Sequence, residues 1–206
     1  MTASRLPVVR KNIIAQVTGF MPKPFPVRYL GCPLYSGRRR VSYFNDIYHL
    51  VLKRILSWKQ RLLSFGGKWV LIKHVLASIP IHVLAGSNVP KGMRRQLEKA
   101  FSNFLWGSTD GERKFHWIKW SDLCHPVAEG GVGIRSLDDV FQAFSCKLWW
   151  MFRKRESLWA DFMHTKYCRG LHPCQVQESR VSFLTWKRMI AVSDRMEELS
   201  ECRMDV

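Results

Sequence analysis

The chain has 206 residues, 47% of them apolar and 24% charged, which suits one domain with a buried core and excludes a disordered tail. No apolar run approaches the roughly 18 residues of a membrane span. Lys and Arg number 33 against 16 Asp and Glu, for a net charge of +17 and a pI near 10.1.

Residues 1–20 hold Arg5, Arg10 and Lys11, no acid, and no continuous apolar stretch of the kind a secretory signal needs; the bias has a faint transit-peptide character. In FMPKPFPVRYLGCPLY, residues 20–35, Pro22, Pro24 and Pro26 disfavour helix and favour extended chain. Gly31 after Tyr29-Leu30 supplies a turn, which predicts a short strand or hairpin. Residues 41–63 have helical period, with Phe44, Ile47, Tyr48, Val51, Ile55 and Leu62 on one face. Lys53, Arg54, Lys59 and Arg61 lie mostly off that stripe, and Ser64-Phe65-Gly66-Gly67 is expected to stop the helix.

A second helix is predicted over 67–79, aligned on Trp69, Ile72, Leu76 and Ile79 and ended or bent by Pro80. A third starts near Pro90, where proline suits a first turn, with Met93, Leu97, Phe101 and Phe104 or Leu105 inward. Residues 106–135 read as a small hairpin or irregular lobe: KFHWIKW alternates only in part, and GGVGIRSL contains three glycines. Helix returns over 137–155 on Leu137, Phe141, Phe144, Leu148 and Phe152, with Asp138 and Asp139 in the first turn, where carboxylates favour the helix dipole. Further helices are expected near 157–167 and 181–199. The fold class is mainly α with small β elements.

Charge divides the chain. Residues 1–100 carry 18 basic side chains and only two acids, Asp46 and Glu98, whereas residues 101–206 carry 15 basic and 14 acidic ones. This pattern fits a polyanion-facing half and an ordinary globular half. Nucleic acid is the natural polyanion, since Lys and Arg displace counterions from phosphates; a generally basic protein, or one that meets an acidic partner, leaves the same footprint.

Catalytic chemistry finds little support. Two-metal polymerases need converging carboxylates, and the adjacent pair Asp138-Asp139 sits at an apparent helix start, where capping explains it. The glycines at 130, 131 and 133 lack the Lys-Ser/Thr of a phosphate-binding loop. Six cysteines, Cys32, Cys124, Cys146, Cys168, Cys174 and Cys202, are widely and irregularly spaced, which predicts reduced thiols and an intracellular chain, nuclear or cytoplasmic. His164, Cys168, His172 and Cys174 are close in sequence, but their spacing matches no common zinc finger. Packing in a globular lobe is the simpler reading, and no metal or cofactor is expected. Most of the nine tryptophans fall on helical stripes and read as core.

Several motifs together carry a family signature. FPVRYLGCPL at 25–34, WxxxxLSFGGKWVLIKHVLASIP at 58–80, FLWG at 104–107, KFHWIKW at 114–120, LCHP…EGGVGIRSL at 123–137 and KLWW…SLW at 147–159 stand in the order of the segment after the palm of non-LTR retrotransposon reverse transcriptases. The chain resembles that primer-grip and thumb region over about Val17 to Lys166. The family's F/Y-x-D-D catalytic motif is not in the sequence, so catalytic residues are expected to be absent.

The resemblance divides the chain into a primer-grip-like segment, 1–40, a thumb-like helical bundle, 41–106, a small lobe, 107–136, and a C-terminal helical region, 137–206. It implies that Arg28, Tyr29, Leu30 and Gly31 lie near a primer end. It also implies that Arg38, Arg39, Arg40, Lys53, Arg54, Lys59, Arg61, Lys68 and Lys73 contact phosphates of an RNA–DNA hybrid or duplex. Such contacts position a duplex without reading its sequence. A second expectation is a non-enzymatic remnant, inert or binding a protein partner through the face that the palm covers in full-length relatives; no membrane role is expected, and oligomeric state is open.

Overall fold

The computed structural model describes residues 7–21, 23–58, 63–107, 115–176 and 182–204, with side chains of the last helix through Leu199. The protein is mainly helical with one small sheet. Helix α1, Val8–Thr18, precedes strands β1, Val27–Tyr29, and β2, Cys32–Leu34. The strands pair antiparallel, Val27 with Leu34 and Tyr29 with Cys32. Leu30 and Gly31 close the hairpin with φ of 48° and 78°, the double left-handed turn that matches strand twist.

A 3-10 turn, Val41–Phe44, leads into α2, Asn45–Ser57. Phe44, Val51 and Ile55 are buried on the expected face, with Ile47 and Tyr48 packed beside them; Leu62 lies outside the described residues. The Ser64-Phe65-Gly66-Gly67 stretch corrects the sequence expectation, because it starts a helix instead of stopping one. Ser64 is the N-cap of α3, Phe65–Leu71, its hydroxyl accepting from the Gly67 amide at 3.2 Å. Side-chain capping offsets the conformational cost of two glycines in a first turn.

The second predicted helix is interrupted. Residues Ile72–Leu76 form a π-turn, with the Ala77 amide donating to the Ile72 carbonyl at 2.9 Å. Pro80 then bends the chain into a short helix that periodicity did not predict, α4, Ile81–Gly86. Helix α5, Lys91–Trp106, starts after Pro90 and ends on left-handed Gly107. Residues 115–119 form no strand, and the lobe is irregular apart from α6, Trp120–Leu123, and a 3-10 turn at Val127–Glu129. Trp117 is 77% exposed: the partial alternation of KFHWIKW has no buried face to hold a ladder.

Helix α7, Leu137–Lys154, is followed by α8, Leu158–Tyr167, and a 3-10 turn at Pro173–Gln175. The final helical stretch is split into α9, Leu184–Ile190, and α10, Ser193–Met204. At the break the Ser193 hydroxyl donates to the Ile190 carbonyl at 2.9 Å, a local bond that competes with continued helix.

Two hydrophobic cores result. The first is built on α5, whose Met93, Leu97, Phe101, Phe104 and Leu105 meet α2, the π-turn and α4. The second gathers Trp149, Phe152, Met163, Cys168, Trp186 and Met189. Helix α7 joins them, contributing Leu137 to the first and Trp149 and Phe152 to the second. No helix among the described residues is long and apolar enough to cross a membrane.

Candidate nucleic-acid interface

The hairpin tip stands out from the body. Leu30 is 74% exposed and Tyr29 is exposed beside it. A left-handed leucine costs roughly 1–2 kcal/mol, and the turn is braced by His82 of α4, whose Nε2 lies 2.6 Å from the Leu30 carbonyl oxygen. Arg28 pairs with Asp46 at the start of α2 and donates to the Gly31 carbonyl at 3.3 Å.

The arginine triplet separates by role. Arg39 donates to the Asn88 side chain and to the Asn88 carbonyl at 3.3 Å. Asn88 in turn donates to the Leu184 carbonyl at 3.2 Å, so Arg39 helps tie the N-terminal segment to the α4–α5 link and α9. Arg38 and Arg40 are exposed, as are Lys53 and Arg54 on the outer face of α2. Lys68 is half-buried on α3. Lys59 and Arg61 lie outside the described residues.

Lys73 is exposed on the π-turn, its Nζ 5.0 Å from the centroid of the Trp69 ring. Ile72 and Leu76 are both buried while Lys73 and His74 face outward.

Those two side chains form one rim of a groove of roughly 1080 Å³. Its other wall comes from α7, where Asp139, Val140, Ala143, Phe144 and Lys147 recur at three- and four-residue steps. Its end is the loop leading into α7, with Cys124, Ile134 and Arg135. Sequence reasoning singled out Lys73 and missed His74, Arg135 and Lys147. Arg135 and Lys147 belong to the charge-balanced half, so a census by halves hides them. The available signal was the alignment of Asp139, Ala143 and Lys147 on one helical face.

The glycine-rich loop is built to close on itself. The Gly131 amide donates to the Pro126 carbonyl at 3.1 Å and the Gly133 amide to the His125 carbonyl at 3.2 Å. A Cβ on Gly131 would lie 2.0 Å from the His125 carbonyl oxygen, so only glycine fits there. The Trp69 indole donates to the Val132 carbonyl at 3.2 Å, which pins the loop to α3 beneath Lys73. The half-buried Cys124 thiol is pushed up to about 12, first by burial and then by the charges of Glu98 and Asp139. It is a poor nucleophile at neutral pH.

Both acids of the first hundred residues have partners in the protein, Asp46 at the surface and Glu98 partly buried. Asp46 is taken by Arg28. Glu98 turns inward, its carboxylate accepting from the Leu137 amide at 2.7 Å, so it serves an orphan donor of α7. Burial holds the Glu98 carboxyl above its usual range, opposed by that hydrogen bond. Asp138 pairs with Arg94 while Ser136 caps the helix, accepting from the Asp138 amide at 3.1 Å. Asp138 stands in the first turn, as its position predicts, but the cap is Ser136 and the Asp138 carboxylate is committed to Arg94.

The Cys/His group near the C-terminus does not converge. His164 stacks on Phe152 with centroids 6.0 Å apart, Cys168 is buried in the second core, and Arg153 donates to the His172 ring at 2.9 Å. Among the described residues no three His, Cys, Asp or Glu side chains are placed to hold a metal ion.

The chain is similar to two proteins of Arabidopsis thaliana. One, provisionally named a ribonuclease H protein, is 33% identical over 149 residues, 72% of this chain and 23% of the relative. The other, an uncharacterized mitochondrial protein, is 30% identical over 71 residues, 34% of this chain and 46% of the relative. The chain thus spans under a quarter of the first and under half of the second. No protein-family model and no solved structure matches it.

Proposed function

We propose that this chain is a retroelement-derived, thumb-like segment that holds primer-template nucleic acid through its phosphates, without base specificity and without a polymerase centre of its own. The observation that carries the reading is the fate of the two acids in the first hundred residues. Asp46 is neutralised by Arg28, and Glu98 is turned onto the start of α7. Arg38, Arg40, Lys53, Arg54 and Lys73 are exposed, and both acids of the first hundred residues are engaged elsewhere. A positive surface of this kind attracts polyanions and releases their counterions on contact. The order of the sequence motifs and the likeness to a plant protein named for ribonuclease H support nucleic acid as the polyanion.

Fluorescence anisotropy with a labelled RNA–DNA hybrid, titrated across salt, tests this. Log K is expected to fall linearly with log salt. Lys53→Gln with Arg54→Gln should reduce the slope by about 1.8, at about 0.9 for each phosphate that is no longer neutralised. A folded, monodisperse chain that binds no hybrid at low salt sinks the proposal.

A second reading, an interaction module with no nucleic-acid role, rests on α1. That helix buries none of its residues and exposes Val8, Val9, Ile13, Ile14 and Val17, and exposed apolar patches bind partners. Concentration-dependent assembly without salt-sensitive hybrid binding would favour it.

A further inference from the structure

We infer that the groove between the π-turn and α7 holds a short stretch of single-stranded nucleic acid, a site distinct from the duplex-facing surface of α2. This rests on the proposal that the chain binds nucleic acid at all, and it adds which form of nucleic acid this surface takes.

Two features occur together in this groove. It has a basic rim, Lys73, Arg135 and Lys147 with the His74 ring beside them, against one acid, Asp139. Between the rims lies an apolar floor that includes Ile81 and Phe144. A double helix shows phosphates outward and keeps base faces stacked inside, so it has no use for such a floor. A single strand presents charged phosphates and apolar base faces at once, and proteins that bind single strands combine a basic groove with stacking surfaces.

Size agrees with this assignment. Pockets that enclose a drug-sized ligand measure roughly 300–1,000 Å³, and this groove, at about 1080 Å³, has room for a few nucleotides of one strand. The cations also stand on separate supports, the π-turn, the loop before α7 and the third turn of α7. Successive phosphates can thus meet different elements, and Lys73 is steadied by the Trp69 ring beneath it.

The test uses the full chain and three labelled probes: oligo(dT), an abasic oligomer of the same length and charge, and a blunt duplex. Arg135→Gln with Lys147→Gln, both exposed positions, should weaken oligo(dT) binding. It should also lower the salt slope by about 1.4, at about 0.7 for each single-strand phosphate released, while a blunt duplex is held as before. The abasic oligomer should bind at least tenfold more weakly than oligo(dT).

Equal binding of abasic and base-bearing strands overturns the inference, because the floor then has no part. Equal weakening for oligo(dT) and blunt duplex overturns it as well. So does displacement of oligo(dT) by polyglutamate as readily as by unlabelled oligo(dT), which would assign the groove to acidic protein. Binding of blunt duplex but no single strand overturns this inference alone, whereas binding of neither removes the parent proposal with it.

Discussion

Replacing Arg188 by Met separates two opposed expectations for the join between the cores. Arg188 lies on α9 and is 6% exposed. Its guanidinium donates to the Ser145 hydroxyl at 2.8 Å, the Phe141 carbonyl at 3.1 Å and the Ser87 carbonyl at 3.3 Å, and it sits 4.0 Å from the Phe141 ring centroid. Among the described residues no carboxylate pairs with it.

Burial, and secondarily the charge of Arg94, pushes Arg188 down to about 10 from 12.5. At 1.36 kcal/mol per pK unit this is a cost of about 3 kcal/mol for keeping the charge inside. Against it stand hydrogen bonds from a charged donor, about 1.5–3 kcal/mol each, and a desolvated cation–π contact of about 2 kcal/mol. The two shortest bonds and the ring contact, about 5–8 kcal/mol together, outweigh the burial cost by roughly 2–5 kcal/mol. Met keeps most of the apolar stem and removes every polar contribution, so Arg188→Met should destabilise toward the lower end of that range, by about 2–3 kcal/mol. For a chain of this length that lowers Tm by roughly 5–10 °C.

Urea unfolding followed by tryptophan fluorescence reads the change, since Trp149 and Trp186 are both in the second core. Arg188→Lys, which keeps charge but loses the fork, should fall at least as far. A Met variant as stable as the parent or more so would refute the reasoning and show that desolvation dominates, as it does in some buried ion pairs.

Glu98→Gln should alter the pH dependence of stability. The folded carboxyl titrates above its ordinary 4.5, so the folded state binds more protons than the unfolded one through that window. The stability this group contributes is full below the unfolded pKa and lost as pH rises through the folded one. Gln retains an acceptor for the Leu137 amide, so the variant's urea midpoint should lack this fall and match or exceed the parent's at pH 7; a lower midpoint there would mean that the negative charge itself stabilises α7. Gly131→Ala and Gly130→Ala form a matched pair. The first drives a Cβ into the His125 backbone and should cost about 3 kcal/mol. The second has open space but a φ of 84° and should cost about 1 kcal/mol. Equal melting shifts for the two would show that the loop relaxes around the added methyl.

Local patterning alone determined much of the helical framework. Apolar spacing marked the inward faces of α2 and α5, and of α7 at Leu137 and Phe152 though not at Trp149, because a helix that packs on one side must repeat its apolar residues every three or four positions. Pro90 and Gly107 bracket α5 in the roles their backbone chemistry suits, and Asp138 sits where a helix start favours it. The turn at Leu30-Gly31 was legible from its glycine and neighbouring prolines.

The sequence alone could not decide elements whose conformation depends on distant partners. Ser64 reads as readily as a stop as a cap, and which it is depends on the packing of the helix that follows. The π-turn leaves no trace in periodicity, since Ile72 and Leu76 are buried at the same four-residue spacing that an α-helix gives. Helix α1 was not anticipated, because its apolar residues face solvent and no core records their pattern. The groove is the clearest case. Lys73, Arg135 and Lys147 span 74 positions in the chain, and nothing in their local patterns links them. They share a surface because Trp69 holds the glycine-rich loop against α3 and because α4 packs beside α7, and contacts between distant segments are what tertiary structure alone specifies.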